Sequence, residues 1–381
     1  YGDFVGAECG HDVIGDDAAA VVEGREGYAS ASTQNQAYAE GEGGEGPASS
    51  AAAGNDWIVG DNDVSFFDAF EGGFDGGEVV GGDDVIGGDS AAYVYGDEGH
   101  AYASANNDAM SYGGSAEAEA GNDWIVGDNK VASSGERGFD AAEGGADTIG
   151  GDAAAVVDGF EGYAEAYATN TATEYGGSAR AGNDTIYGDN YNEGGFDFVD
   201  GRADVIGGDA AAVATGSSSN AYADVNNAAY GGEAAAGSDY IDGQEGNDSI
   251  AGGALAMGTS ATANTTNTAS AGAKAGVDTI DGAEGDDVIA GDSLSIETGG
   301  GLVNTANTWN DAYNNSEAGS DEIYSGIGHD MVAGDSAELA LNGHADASTW
   351  HHAYNAGGED GDDYIRSGSG DDKSAAGTRG M

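Results

Sequence analysis

Aspartates recur along this 381-residue chain beside glycines, in a pattern that suits the coordination of a hard cation. Residues 54–61 read GNDWIVGD, and nearly the same phrase returns at residues 121–128 and 182–189. Calcium takes about six to eight oxygen ligands, and both carboxylates and backbone carbonyls supply them. A glycine-rich turn exposes its carbonyls because glycine reaches backbone angles that are closed to other residues. The phrase therefore predicts a calcium-binding turn.

The marker aspartates of these phrases form two interleaved series. The step from the first series to the second is nine residues in the last four pairs, whereas the three earlier complete pairs are 28, 24 and 20 residues apart. The first series is Asp56, Asp123, Asp184, Asp239, Asp278, Asp321 and Asp363. The second series is Asp12, Asp84, Asp147, Asp204, Asp248, Asp287, Asp330 and Asp372. Further predicted ligands follow the short strand of a phrase: Asp61, Asp89, Asp128, Asp152, Asp189, Asp209, Asp292 and Asp335.

The nine-residue spacing resembles a known repeat. Residues 243–251 read GQEGNDSIA and residues 282–290 read GAEGDDVIA. Both resemble the nonapeptide of the repeats-in-toxin (RTX) family, which combines a glycine-rich turn, an aspartate and a short strand. The resemblance implies an all-β fold, a parallel β-solenoid of the β-roll kind, in which stacked glycine and aspartate turns share multiple Ca²⁺ ions. The chain departs from the family pattern because inserts of about 30 residues separate most phrases.

We expect one solenoid of about seven coils across residues 1–375, followed by a tail at 376–381. Coils within residues 1–235 are predicted to be wide and to carry insertions, and those within 236–375 to be narrower with paired nonapeptides. One aliphatic residue per phrase is expected to point inward and to form the narrow core: Ile58, Ile125, Ile186, Ile241, Ile280 and Ile323.

Composition restricts the partners. The chain has 70 acidic and nine basic residues, for a formal net charge of −61. Nucleic acid and anionic membranes are poor partners for such a surface, and no apolar run is long enough to cross a membrane. A merely solvating acidic surface is an alternative, as is the capping of turns by aspartates that bond their own backbone. Neither explains the regular spacing as directly as bound cations do.

The inserts carry alternating alanines, as in residues 101–105, which favour strands with one small, flat face. Recurring asparagines are interpreted either as an amide ladder along the solenoid or as exposed turn residues: Asn35, Asn106, Asn170, Asn226, Asn267 and Asn307. The Thr- and Asn-rich residues 263–268 also raise the alternative of a flat, ice-binding hydroxyl array.

Catalytic motifs such as a nucleophile elbow or HExxH do not occur in the sequence, so we expect no enzyme. The favoured function is that of a secreted, extracellular structural protein that self-associates into a surface layer, filament or matrix. The alternative is a calcium-dependent adhesin segment that binds a cell-surface glycan or ice within a larger protein. The sequence starts at Tyr1 without a signal peptide, so we expect a processed chain or a piece of a longer one.

Overall fold

The structure is a computed structural model. It describes residues 5–8, 13–15, 18–23, 26–40, 49–53, 57–59, 62–66, 77–80, 85–88, 90–95, 98–112, 116–120, 123–126, 129–133, 141–143, 148–158, 161–175, 178–187, 191–192, 199–200, 204–215, 218–244, 246–297, 304–339, 345–354, 359–360, 363–367, 369, 373–375 and 379–380.

These residues form strands and turns and no helix, and the strands lie in seven parallel sheets. The predicted all-β parallel solenoid is therefore confirmed. We number the sheets in the order in which a coil passes through them, from I to V. Sheets VI and VII occur between V and the next I.

Sheets I, II and III contain the strands that follow the second-series aspartates. Sheet I consists of Val13–Gly15, Val85–Gly87, Thr148–Gly150, Val205–Gly207, Ser249–Ala251, Val288–Ala290, Met331–Ala333 and Lys373–Ala375. Sheet II consists of Ala18–Glu23, Ser90–Tyr95, Ala153–Asp158, Ala210–Thr215, Ala254–Gly258, Ser293–Glu297, Ser336–Leu339 and Arg379–Gly380. Sheet III consists of Glu26–Ser32 with Asn35–Glu40, Glu98–Tyr112, Glu161–Tyr175, Ser218–Tyr230, Ser260–Ser270, Asn304–Tyr313 and Ala345–Tyr354.

The remaining sheets complete the coil. Sheet IV consists of Ser49–Ala53, Ala116–Ala120, Ser178–Ala181, Ala234–Ala236, Lys274–Ala275, Glu317–Ala318 and Glu359–Asp360. Sheet V consists of Trp57–Val59, Trp124–Val126, Thr185–Tyr187, Tyr240–Asp242, Thr279–Asp281, Glu322–Tyr324 and Tyr364–Arg366. Sheet VI consists of Asn62–Phe66, Asn129–Ser133 and Tyr191–Asn192, and sheet VII of Val5–Glu8, Gly77–Val80, Ala141–Glu143 and Val199–Asp200.

Narrow cores between neighbouring sheets give the described coils a branched cross-section. Sheets I and V pack face to face through a ladder of fully buried isoleucines, among them Ile241 and Ile250. Sheet III packs through alanines against sheet II along the first half of its strands and against sheet IV along the second half. We call sheets I and V the stem, and sheets II, III and IV the crossbar. The stem joins the crossbar near the middle of the sheet III strands.

The predicted isoleucine ladder is confirmed for the members whose side chains the structure describes. Ile125, Ile186, Ile241, Ile280 and Ile323 are all fully buried in the stem. Ile58 pairs with Ile125 in register, and its side chain lies outside the described residues. The second phrase of each coil supplies the facing aliphatics, which sequence analysis left out of the core: Ile86, Ile149, Ile206, Ile250, Ile289 and Val332.

The far end of the stem, which we call the tip, is where the coils differ in length. In the C-terminal coils, six-residue turns such as 282–287 join sheet V directly to sheet I. In the earlier coils, the strands of sheets VI and VII intervene at this place, and all of those strands lie before residue 201. Strand pairing also continues past residue 375, because Arg379 pairs with Ala337 in sheet II.

Candidate metal centre

First-series aspartates stack at the junction of stem and crossbar. Each described member directly precedes a sheet V strand. From Asp184 onward, its carboxylate accepts a hydrogen bond from the backbone amide of the aspartate one coil earlier. The amide of Asp184 donates to Oδ1 of Asp239 at 2.9 Å, and the amide of Asp239 donates to Oδ1 of Asp278 at 2.8 Å. The row continues in both directions from Asp123 to Asp363. We call Asp123, Asp184, Asp239, Asp278, Asp321 and Asp363 the junction aspartates.

Second-series aspartates form a matching row at the tip. The amide of Asp204 donates to Oδ1 of Asp248 at 2.9 Å, and the amide of Asp248 donates to Oδ1 of Asp287 at 2.9 Å. Asp287 in turn donates to Oδ1 of Asp330 at 3.1 Å. These four residues, the tip aspartates, directly precede the sheet I strands and are buried.

In six of these carboxylates the ladder uses Oδ1 and leaves Oδ2 for a further ligand. Within the described part of the chain, no hydrogen-bond donor reaches the buried Oδ2 atoms of Asp184, Asp239, Asp248, Asp278, Asp287 and Asp321. A buried carboxylate oxygen without a partner is costly, so a bound cation is the natural complement to such a stack. The arrangement of these carboxylates therefore fits bound calcium ions.

At the junction, backbone carbonyl oxygens lie close to the Oδ2 atoms of the aspartates. A Cβ placed on Gly252 would lie 1.9 Å from the carbonyl oxygen of Gly291 and 2.1 Å from Oδ2 of Asp278. One coil further on, a Cβ on Gly291 would lie 1.7 Å from the carbonyl oxygen of Gly334. Only glycine fits here. In each of these coils the carbonyl oxygen and the carboxylate oxygen therefore lie close together, where both could coordinate one hard cation.

A third row of aspartates lies at the corner where sheet I leads into sheet II. Asp152, Asp209, Asp292 and Asp335, the corner aspartates, are fully buried. Carboxylate oxygens of Asp278, Asp292 and Asp321 lie within 4.8 Å of one another, and so do those of Asp123, Asp152 and Asp184. Two rows from separate parts of the coil thus meet as clusters of three carboxylates.

An asparagine ladder closes the junction from the sheet III side. Asn107, Asn170, Asn227, Asn267 and Asn310 are fully buried, and each Nδ2 donates to Oδ1 of the next, as from Asn227 to Asn267 at 3.1 Å. The same amides donate to the corner aspartates, as from Asn310 to Oδ2 of Asp292 at 3.2 Å. The amides therefore orient the carboxylates that face the junction.

The ladder of asparagines is confirmed, although its members differ from those expected. Asn170 and Asn267 belong to it. Asn106 and Asn226 lie one residue out of register, and Asn226 is exposed. Asn307 instead donates to Asn264 on the outer face. Asn35 pairs in register with Asn107.

Burial raises the pKa of the stacked carboxyls. Desolvation is the main cause, and neighbouring aspartates add to it. The pKa of Asp209 rises to about 7, that of Asp287 to about 7 and that of Asp248 to about 8. The pKa values of Asp278 and Asp321 rise well above the ordinary range. At neutral pH the cation-free rows therefore resist ionisation, and a divalent ion relieves the repulsion.

The structure describes fourteen of the predicted ligands, all of which belong to the three rows. The others lie outside the described residues: Asp12, Asp56, Asp61, Asp84, Asp89, Asp128, Asp147, Asp189 and Asp372.

The comparison with protein families agrees with this geometry. The model of the RTX calcium-binding nonapeptide repeat (4 copies) matches residues 178–192, 233–254, 273–293, 315–336 and 358–374. The chain carries RTX calcium-binding repeats. From residue 233 onward, the matched segments contain the described junction and tip aspartates, together with Gly252, Gly291 and Gly334, which approach the junction. Multiple calcium ions are therefore the metal of these rows, with the described junction and tip aspartates as the residues that would hold them.

The RTX repeats of this chain depart from the glycine-rich pattern at the tip. Gln244 and Ala283 adopt left-handed backbone angles, with φ of 67° and 59°. Gly326 occupies the corresponding position one coil later, with φ of 86°. The conformation is thus retained at some energetic cost where glycine is missing.

The comparisons with curated proteins and with solved structures returned no match. RTX-repeat proteins are typically secreted. Among the described residues, no helix has the length and apolar character that a membrane span requires.

Proposed function

We propose that this RTX protein is a non-enzymatic, extracellular structural protein that folds when calcium fills its aspartate rows and then self-associates into a surface layer, filament or matrix. The observation that carries the proposal is the run of four buried junction carboxylates whose Oδ2 atoms accept no hydrogen bond within the described coils: Asp184, Asp239, Asp278 and Asp321. Such a stack favours folding where calcium is plentiful, because metal binding and folding are then one process.

The parallel ladders support a structural role. Almost every backbone hydrogen bond between strands runs to the coil before or after, so the coils form a continuous rod. The described residues gather their carboxylates into repeating rows rather than into one cleft, which is the arrangement of a scaffold. No catalytic role is proposed for any of them.

Sedimentation and circular dichroism during a calcium titration of metal-free protein test the proposal. We expect a gain of β-structure followed by growth into large species. A β-rich species that stays monomeric at saturating calcium would refute the assembly while leaving calcium-dependent folding intact. An unchanged spectrum from chelator to saturating calcium would refute both.

A second candidate function is adhesion to a glycan, and exposed aromatic side chains on the outer face of sheet III favour it. Tyr28, Tyr163, Tyr230 and Trp350 lie on this face with exposed fractions of 60, 37, 42 and 41%. Trp350 also stacks on Trp309, with ring centroids 4.9 Å apart. Exposed aromatic rings supply large contact area at low entropic cost and often mark interaction sites.

Binding to insoluble polysaccharides tests this candidate. Trp350→Ala should reduce retention, and Tyr364→Ala serves as the control because Tyr364 is also an exposed aromatic residue, at 57%, but lies on sheet V. Equal retention of both variants would argue against a role for the sheet III face. The register of sheet III gives the ice-binding alternative little support. Thr262 pairs with Thr305, but Thr305 then pairs with Asp346, Thr266 with Trp309 and Thr268 with Asp311, so no outward threonine row continues along the described strands of the sheet.

A further inference from the structure

The corner row has a gap in one coil. In successive coils the residue after the corner glycine is Asp152, Asp209, Gly253, Asp292 and Asp335. Each corner residue lies in sequence between two successive junction aspartates, and Gly253 lies between Asp239 and Asp278. The junction of that coil therefore has no corner carboxylate, whereas its neighbours have one each.

Hydrogen bonding at the gap shows the same irregularity. Asn170 donates both to Asp152 of its own coil and to Asp209 of the next, at 2.9 and 2.7 Å. Asn227 donates to Asp209 but has glycine at the corner of the next coil. Asn267 donates to Asp292 of the next coil but has glycine at its own corner.

Thr265 occupies the space beside Gly253. Its hydroxyl accepts a hydrogen bond from the amide of Ala254 and donates to the carbonyl of Asp292, both at 3.2 Å. A Cβ on Gly253 would lie 2.6 Å from Oγ1 of Thr265. The equivalent residue is Ala168 in the coil of Asp152 and Val225 in that of Asp209, and it is Thr308 and Thr349 in the coils of Asp292 and Asp335. A threonine at this place is therefore compatible with a corner aspartate in other coils, whereas in this coil its hydroxyl stands where a Cβ of residue 253 would lie.

We propose that the junction binds calcium in two separate runs, one on each side of Gly253, and that the site between Asp239 and Asp278 binds it more weakly than its neighbours. The reason is the charge of the site. Calcium affinity in oxygen sites follows the number of charged ligands. The clusters of Asp123, Asp152 and Asp184 and of Asp278, Asp292 and Asp321 have three carboxylates each. The site beside Gly253 has two.

The RTX match covers only part of this junction. The amides of Asn227 and Asn267 lie outside the segments that match the repeat. The corner aspartates stand where the repeat pattern places a second glycine. The inference rests on the calcium-dependent folding proposed above and is independent of assembly.

The test is the number of tightly bound calcium ions per chain, measured by equilibrium dialysis and metal analysis on the 381-residue protein. The double variant Gly253→Asp/Thr265→Ala supplies the missing carboxylate and the room for it. We expect it to bind one more tight calcium ion than the parent. Thr265→Ala alone is the matched control and should gain none. A folded double variant with the parent's ion count would overturn the inference.

A second measurement decides the matter if the double variant does not fold. Asp152→Asn and Asp292→Asn alter different runs, so their effects on the calcium midpoint should add in the combined variant. A combined effect that departs clearly from the sum would show one continuous run and would refute the inference. If the parent chain bound no calcium at all, the proposed function would also be refuted. If the parent folds with calcium but these variants give the contrary result, only the proposal of two runs is refuted.

Discussion

The amide of Asp278 donates a 2.9 Å hydrogen bond to Oδ1 of Asp321, two residues that are 43 positions apart in the chain. This contact fixes the carboxylate of Asp321 against the coil before it and leaves its Oδ2 directed toward Gly291. The same contact in coil after coil makes the ladder both a structural support for the backbone and an array of ligand atoms. Folding and metal binding therefore share the same carboxylates, through different oxygens.

Acidification should partly replace calcium. The pKa values of Asp209, Asp287 and Asp248 are raised in the folded state to about 7, 7 and 8 from an ordinary 3.8. A carboxyl with a raised folded pKa stabilises the fold fully below its unfolded pKa, and this stability is lost as pH rises through the folded pKa. In excess chelator, circular dichroism should thus show more β-structure at pH about 5 than at pH about 8. A β-signal that is lower at the acidic pH would contradict this sign.

Truncation of the stem core should be costly. Ile280 is fully buried between sheets I and V, and Ile280→Ala should lower the free energy of unfolding by about 2–5 kcal/mol. Urea unfolding in saturating calcium measures the change. Thr279→Ala is the control, since Thr279 is only partly buried on the same strand and its loss should cost less than about 1 kcal/mol. Similar costs for the two variants would be inconsistent with the packing of the stem.

Removal of one side-chain amide of the asparagine ladder should lower the stability of the fold, whereas removal of the neighbouring asparagine should not. Asn227→Ala leaves the buried Oδ2 of Asp209 without this donor, which should cost about 1–3 kcal/mol. Asn226→Ala removes an exposed side chain one residue earlier and should change stability by about 0.5 kcal/mol or less. Thermal unfolding of the calcium-loaded proteins compares the pair, and equal shifts would exclude a stabilising ladder.

Glycine is required beneath the asparagine ladder. Gly276 has a φ of 53°, and a Cβ there would lie 2.3 Å from Nδ2 of Asn267. Gly276→Ala should therefore destabilise the fold by at least about 1 kcal/mol, through backbone strain and displacement of the amide. Gly232→Ala is the control, because its Cβ would meet nothing closer than 3.7 Å. The unfolding midpoint of Gly276→Ala should fall below that of the control, and the reverse order would refute the close contact.

Much of the stem was accessible from the sequence because its signals are local. The step of nine residues from Asp278 to Asp287 predicts two strands joined by a turn, and the aliphatic residue at a constant offset identifies the inward position. The stacking of Ile280 on Ile241 and Ile323 then follows from the repeat alone.

The packing of the crossbar and the hydrogen bonds of the corner aspartates were harder to predict from the sequence. Alternating alanines predict a strand with a small face, but both halves of sheet III carry the same pattern and pack against different sheets. The choice between Asn226 and Asn227 depends on a one-residue register that neighbouring asparagines leave open. The bond between Asn310 and Asp292 joins the end of one long strand to a corner 18 residues earlier, and no short-range pattern predicts it.

The tip of the stem carries the largest differences in coil length, at one edge of the rod. Six residues suffice between Asp281 and Val288, whereas earlier coils place the strands of sheets VI and VII at the same point. The stacked rows of the junction keep their register despite these differences. For protein engineering, this edge is the natural place to graft foreign peptides. Successive grafts would be displayed at the spacing of neighbouring strands, about 4.8 Å.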